Sequence, residues 1–165
     1  MIGIPRGIPI AAVDATALQS LGAVMSVSSF RGTEVLALWP WDRDDEPSVW
    51  VDPSFRNYVG AWRAAARSGV VEDSEAFGRR VDIDHVYPKS WAVVDGMQMG
   101  WVRLFPVLAE VNRSAGGREK RLLDGFRGKP ERLGSIVFAR ELQVLKLLGH
   151  PVGTFRTPER LGGRR

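Results

Sequence analysis

His85, one of two histidines in the chain, lies in Val81-Asp82-Ile83-Asp84-His85-Val86-Tyr87-Pro88-Lys89-Ser90. Val111-Asn112-Arg113-Ser114-Ala115-Gly116 follows downstream, after a short apolar segment. An Asp-His pair ending a strand, with an Asn on a following helix, can hold one divalent cation beside one general base. Phosphodiester hydrolysis needs both: a water deprotonated as it attacks, and charge compensation for the departing oxygen. Imidazole suits the first task because its unperturbed pKa lies near neutrality. Carboxylate and carboxamide oxygens suit the second, since hard cations take oxygen ligands and keep water positions open. Mg²⁺ is the default ion, with Mn²⁺, Ni²⁺ or Zn²⁺ as alternatives.

These residues need particular elements to position them. Val81 to Tyr87 alternates as a strand that stops at Pro88. Neighbours in a regular strand point to opposite faces, so Asp84 and His85 must sit at the strand end to serve one phosphate. Residues 89–100 read as a loop around Asp95-Gly96, Trp101 to Phe105 as a second strand, and a helix from about Pro106 carries Asn112. Gly116-Gly117 should end that helix.

Elsewhere the pattern predicts a helix from Asp14 to about Ser28, with Leu18, Leu21 and Met25 as its apolar stripe. Thr33 to Trp39 reads as a strand, and Asp42 to Glu46 as an exposed acidic loop. Asp52-Pro53 reads as the start of a helix that Gly69 ends. Asp73 or Ser74 opens a short turn. Glu131 to Leu148 reads as one long helix capped by Gly149, and Thr157 to Arg165 as a loose basic tail.

Bulk properties narrow the function classes. At 165 residues the chain suits one core. It has no Cys, which excludes disulfides, thiolate nucleophiles and cysteine-ligated metal. No stretch approaches the ~20 apolar residues of a membrane span. The opening residues, broken by Pro5 and Pro9, make a poor signal peptide. Together these point to a cytoplasmic protein, or to an effector delivered into a target cell. The net charge of +4 is unevenly spread. Residues 1–111 carry 10 Lys/Arg against 14 Asp/Glu, and residues 112–165 carry 13 against 5. Nineteen of the 23 basic residues are Arg, whose planar fork suits phosphate. A basic final third that begins at Asn112 points to a polyanionic partner. Ser90 has no second His nearby to activate it, so serine hydrolysis is not expected.

The segment Asp82 to Ser90 resembles the Asp-x-Asp-His-Ile-x-Pro-x-Ser opening of HNH nucleases, the ββα-metal or His-Me finger superfamily. Arg103-Leu104-Phe105-Pro106-Val107-Leu108-Ala109-Glu110-Val111-Asn112-Arg113-Ser114-Ala115-Gly116 resembles the second half of that motif. The resemblance implies His85 as general base, Asp84 and Asn112 as metal ligands, and Asp82 as hydrogen-bonding support. Arg103 stands where the family carries a loop-bracing Asn, and Ala115 where it carries a Lys. Arg113, Arg118 and Lys120 are the candidate phosphate contacts. The fold expected is α+β: a mainly helical single domain over residues 1–165, with a ββα-metal element at about 81–118 and a basic tail at about 156–165. The function implied is a metal-dependent endonuclease acting on nucleic acid, DNA favoured over RNA, with no membrane partner. A toxin-type member would bring a neutralising immunity-type protein as partner. The alternatives are a non-catalytic nucleic-acid-binding protein with a degenerate site, and an interaction module using Trp39, Trp41 and the acidic loop.

Overall fold

Val35-Leu36-Ala37-Leu38 and Val49-Trp50-Val51 have no polar alternation, which suits strands covered on both faces. The computed structural model describes residues 7–30, 32–43, 45–78, 80–87, 98–115 and 131–149. In it both runs are strands, and successive residues divide between two cores. Val35, Ala37, Val49 and Val51 enter one cluster with Ala61 and Trp62 of helix α2 (Tyr58–Arg67). Leu36, Leu38 and Trp50 enter the other with Leu18 of helix α1 (Ala15–Leu21). One helix therefore covers each face. Each fully buried Leu or Val in these clusters contributes about 1.5–3 kcal/mol over leaving it in water.

The strands are β1 (Pro9–Ala12), β2 (Gly22–Phe30), β3 (Thr33–Pro40), β4 (Ser48–Val51), β5 (Val81–His85), β6 (Trp101–Leu108), β7 (Glu131–Leu133) and β8 (Ile136–Phe138). They form one antiparallel, half-barrel sheet in the order β2-β3-β4-β6-β1-β8-β7, and β5 joins it through β6. Helix α3 (Ala109–Ala115) follows β6, and helix α4 (Glu141–Leu147) follows β8. Strand β6 has two halves. Residues 101–104 pair with β1 and β4, while residues 104–108 pair with β5. The hairpin that carries the motif is thus a continuation of a central strand.

The expectation of a mainly helical fold is corrected: the protein is mostly β, with four short α-helices among the described residues. Two predicted helices account for the error. The first begins as expected, with Asp14 accepting a hydrogen bond from the Ala17 amide, but it stops at Leu21. From Gly22 the chain pairs with β3 at eight positions, and Met25 is 59% exposed on the sheet edge rather than buried in a stripe. A Cβ on Gly22 would collide with the Trp39 carbonyl, so glycine permits this close approach. The second, Glu131 to Leu148, is instead the hairpin β7–β8 followed by α4. Gly134 turns that hairpin at φ 60°, which favours glycine. Ile136 and Val137 then pair with the fully buried Ala12 and Ala11 of β1. Asp52-Pro53 starts a turn rather than a helix, and α2 begins at Tyr58 with Asn57 as its cap. No helix among the described residues is long and apolar enough to cross a membrane.

Candidate active site

Of the order read between residues 81 and 116, the two strands and the helix are present as β5, β6 and α3, while residues 88–97 between the strands lie outside the described residues. β5 and β6 pair antiparallel, with Asp82 opposite Val107, Asp84 opposite Phe105 and His85 opposite Leu104. Asp82 and Asp84 therefore share one face of the strand, and His85 is its last residue. The chain leaves the strand through Val86 and Tyr87, both buried, which fixes the exit. Pro88, Ser90 and Trp91 lie outside the described residues.

His85 turns back onto that exit. Its Nδ1 lies 2.7 Å from the Tyr87 carbonyl oxygen. A carbonyl can only accept, so Nδ1 carries the proton and donates it. The other nitrogen, Nε2, is then the acceptor of the neutral ring, which is the tautomer a general base requires. The ring plane is braced by Tyr58, whose ring meets it edge-on at 5.4 Å and 84°. Tyr58 is the first residue of α2, and its hydroxyl is enclosed without a hydrogen-bond partner among the described residues. Burial raises the phenol's pKa, the Asp84 charge raises it further, and Arg56 opposes both. The hydroxyl thus stays protonated, a donor, across the neutral range.

Asn112 reaches the site because its neighbour Val111 is fully buried in the core and the start of α3 is tied down, the Ala109 amide donating to the Arg80 carbonyl at 3.1 Å. Its Nδ2 donates to Asp82 Oδ2 at 3.3 Å. Asp84 and Asn112, expected as a ligand pair, are each held by another group. Asp84 Oδ2 is paired at 3.2 Å with Lys146 of α4, whose side chain is 5% exposed against 21% for Asp84.

The donor set still suits a hard cation. The Asn112 amide spends an N–H on Asp82, which leaves its carboxamide oxygen as the acceptor of the pair. Asp84 supplies a carboxylate with one oxygen on Lys146 and a second oxygen remaining. No three His, Cys, Asp or Glu side chains cluster as a metal group among the described residues. A cation here would rest on two protein oxygens, water and substrate, the arrangement Mg²⁺ commonly takes.

Arg103 lies apart from these groups. It sits opposite Trp50, its guanidinium lies 4.6 Å from the centre of the Phe105 ring, and its Nε is enclosed with no hydrogen-bond partner among the described residues. Burial pushes its pKa down to about 10, against the pull of Asp45 and Glu46. Its charge answers Asp45 and Glu46 of the acidic loop. Arg113 is exposed and lines an open groove of about 490 Å³ with Arg80, Leu108, Ala109 and Glu110. Arg118 and Lys120 lie outside the described residues. The motif pattern does not mark Tyr58, Arg80 or Lys146. The one signal for Lys146 is a lone charge within Val144-Leu145-Lys146-Leu147-Leu148. Compared with known proteins, the chain matches no family model, no curated protein and no solved structure.

Proposed function

We propose that the chain is a metal-dependent endonuclease that hydrolyses phosphodiester bonds, with DNA as substrate. The observation that carries this reading is the bond from His85 Nδ1 to the Tyr87 carbonyl, which leaves Nε2 as the ring's acceptor and so supports it as the base. His85 takes the proton of the attacking water. Tyr58 holds the imidazole in place through its ring edge, and its protonated hydroxyl, within the field of Asp84, is a further donor. Asp84 and the Asn112 oxygen would hold the cation, and Asp82 orients Asn112. The cation, when bound, supplies positive charge for the 3′-oxygen leaving group, so the products would carry 5′-phosphates. Arg80 and Arg113 together would bind backbone phosphate, which carries affinity without base specificity. The test is supercoiled plasmid incubated with the purified protein and Mg²⁺, Mn²⁺ or Ni²⁺. Nicking that EDTA stops, with 5′-phosphate ends, is the expected result. No nicking with any ion would overturn the reading.

One observation favours a second reading, a nucleic-acid-binding protein without catalysis. Lys146 already neutralises Asp84, as it would in a site that no longer takes an ion. That protein would bind DNA and leave it intact under every ion.

Substitutions beside the base and in the groove separate the proposed roles. Tyr58→Phe keeps the ring edge against His85 and removes only the donor, and it should lower kcat about tenfold. KM and Tm should hardly change, because the hydroxyl removed is enclosed and without a partner among the described residues. Steady-state kinetics beside a thermal melt check this, and an unchanged kcat would remove Tyr58 from the site. Arg80→Ala with Arg113→Ala should weaken DNA binding evenly across sequences. It should also reduce the slope of log affinity against log salt by about 2, one counterion per phosphate contact. Titrations at several salt concentrations read this directly.

A further inference from the structure

We infer that Lys146 is a resident counter-cation at Asp84 that makes divalent-ion binding conditional on the arrival of a DNA phosphate. This rests on the nuclease reading above, and it concerns how that site is loaded. The ammonium reaches Asp84 across 62 positions of sequence, from a helix that follows a different hairpin. Its side chain is almost wholly enclosed, so the pair is not a surface bridge worn down by solvent.

Charge governs the loading. With Lys146 in place the Asp84 carboxylate is neutralised, and a divalent ion at its second oxygen would meet an ammonium a few ångströms away. Like charges that close, behind little water, repel strongly. The protein without substrate should therefore bind such an ion weakly. A backbone phosphate changes the balance by bringing an anion that the ammonium can pair with. The lysine headgroup sits on four methylenes, so a phosphate that arrives on the solvent side at Asp84, the more exposed partner, can draw it outward without moving its helix. Once it turns to phosphate, the full carboxylate charge returns to the ion. Ion and DNA must then strengthen each other's binding by the same factor, since coupling between two sites is reciprocal. The consequence for catalysis is restraint: the hydrolytic centre assembles only on its substrate. A purely structural role, pinning α4 to β5, makes the opposite forecast. Cutting that pin would loosen the site and weaken ion binding.

The experiment measures free Mn²⁺ by electron paramagnetic resonance on the full chain, with and without a non-cleavable phosphorothioate duplex. Lys146→Met keeps the buried stem and deletes the charge, and Lys146→Arg keeps the charge. Circular dichroism verifies folding, and Lys146→Gln replaces the Met variant if that fails to fold. The charge-deleted variant should bind Mn²⁺ about tenfold more tightly than the parent without DNA, and DNA should add little further. The parent and the Arg variant should bind weakly alone and about tenfold more tightly with DNA. Equal or weaker Mn²⁺ binding after charge deletion overturns the inference, as does undetectable binding in every form. If plasmid nicking is absent but the Mn²⁺ pattern holds, only the nuclease reading is lost. If nicking occurs and the Mn²⁺ pattern is absent, only the inference is lost.

Discussion

His85→Ala is expected to slow DNA cleavage by about 10²–10⁴-fold while leaving DNA affinity within about twofold, the span general-base removal usually produces. The imidazole bears on the rate of proton removal and not on the phosphate contacts, so the loss belongs in kcat. Folding should survive, because His85 is half-buried and ends its strand. Thermal melts should show this. Added imidazole should restore part of the rate, since the cavity left beside Tyr58 lies where the base acted. His85→Gln, which keeps bulk and a donor but offers no ring nitrogen, should be as slow as the Ala variant. A His85→Ala protein that cleaves at nearly the parent's rate would remove the base from the proposal.

The second large effect is on stability and does not depend on catalysis. Asp84→Ala leaves the enclosed Lys146 ammonium without its carboxylate, which should cost about 3 kcal/mol, the low end for breaking a buried pair. For a chain of this size that lowers Tm by about 6–12 °C. Lys146→Met should cost far less, because the carboxylate it leaves behind is 21% exposed and can reach water. The asymmetry is the diagnostic. The double variant Asp84→Leu with Lys146→Met should recover most of the loss, since an apolar pair of similar volume removes the enclosed charge. Denaturant melts of the four proteins give the coupling energy. If Asp84→Ala costs less than Lys146→Met, the ammonium reaches water in solution and the pair behaves as a surface bridge.

The hairpin and helix around the candidate site were legible because their cues are local. Asp82 to His85 alternate, and Val111 marks a buried face one residue before Asn112. The sheet that carries them was not legible, because its decisive contacts are distant. Residues 14–28 and 131–148 both satisfy a helical period. Pairing of Gly22–Phe30 with β3, and of Ile136–Phe138 with β1, outweighs that period through backbone hydrogen bonds and burial on both faces. Pro9 to Ala12 carries too few residues to announce a strand, yet it sits between β6 and β8. Within the site the residue types and spacing pointed to His85, Asp84, Asp82 and Asn112. They could not say that Asn112 would hold Asp82 while Lys146 held Asp84, because both partnerships depend on how α3 and α4 dock.

Strand β2 lies at one end of the sheet order and contains no charged residue and no proline, with Ala23, Met25, Ser26 and Ser29 open to solvent. Such a margin has backbone donors and acceptors that a stray extended chain could zip onto. What guards it is shape: the register slips between Ser26 and Ser28, which kinks the ribbon and spoils a straight template. Among the described residues, then, what discourages association along this margin is an irregularity of backbone rather than charge on the strand itself.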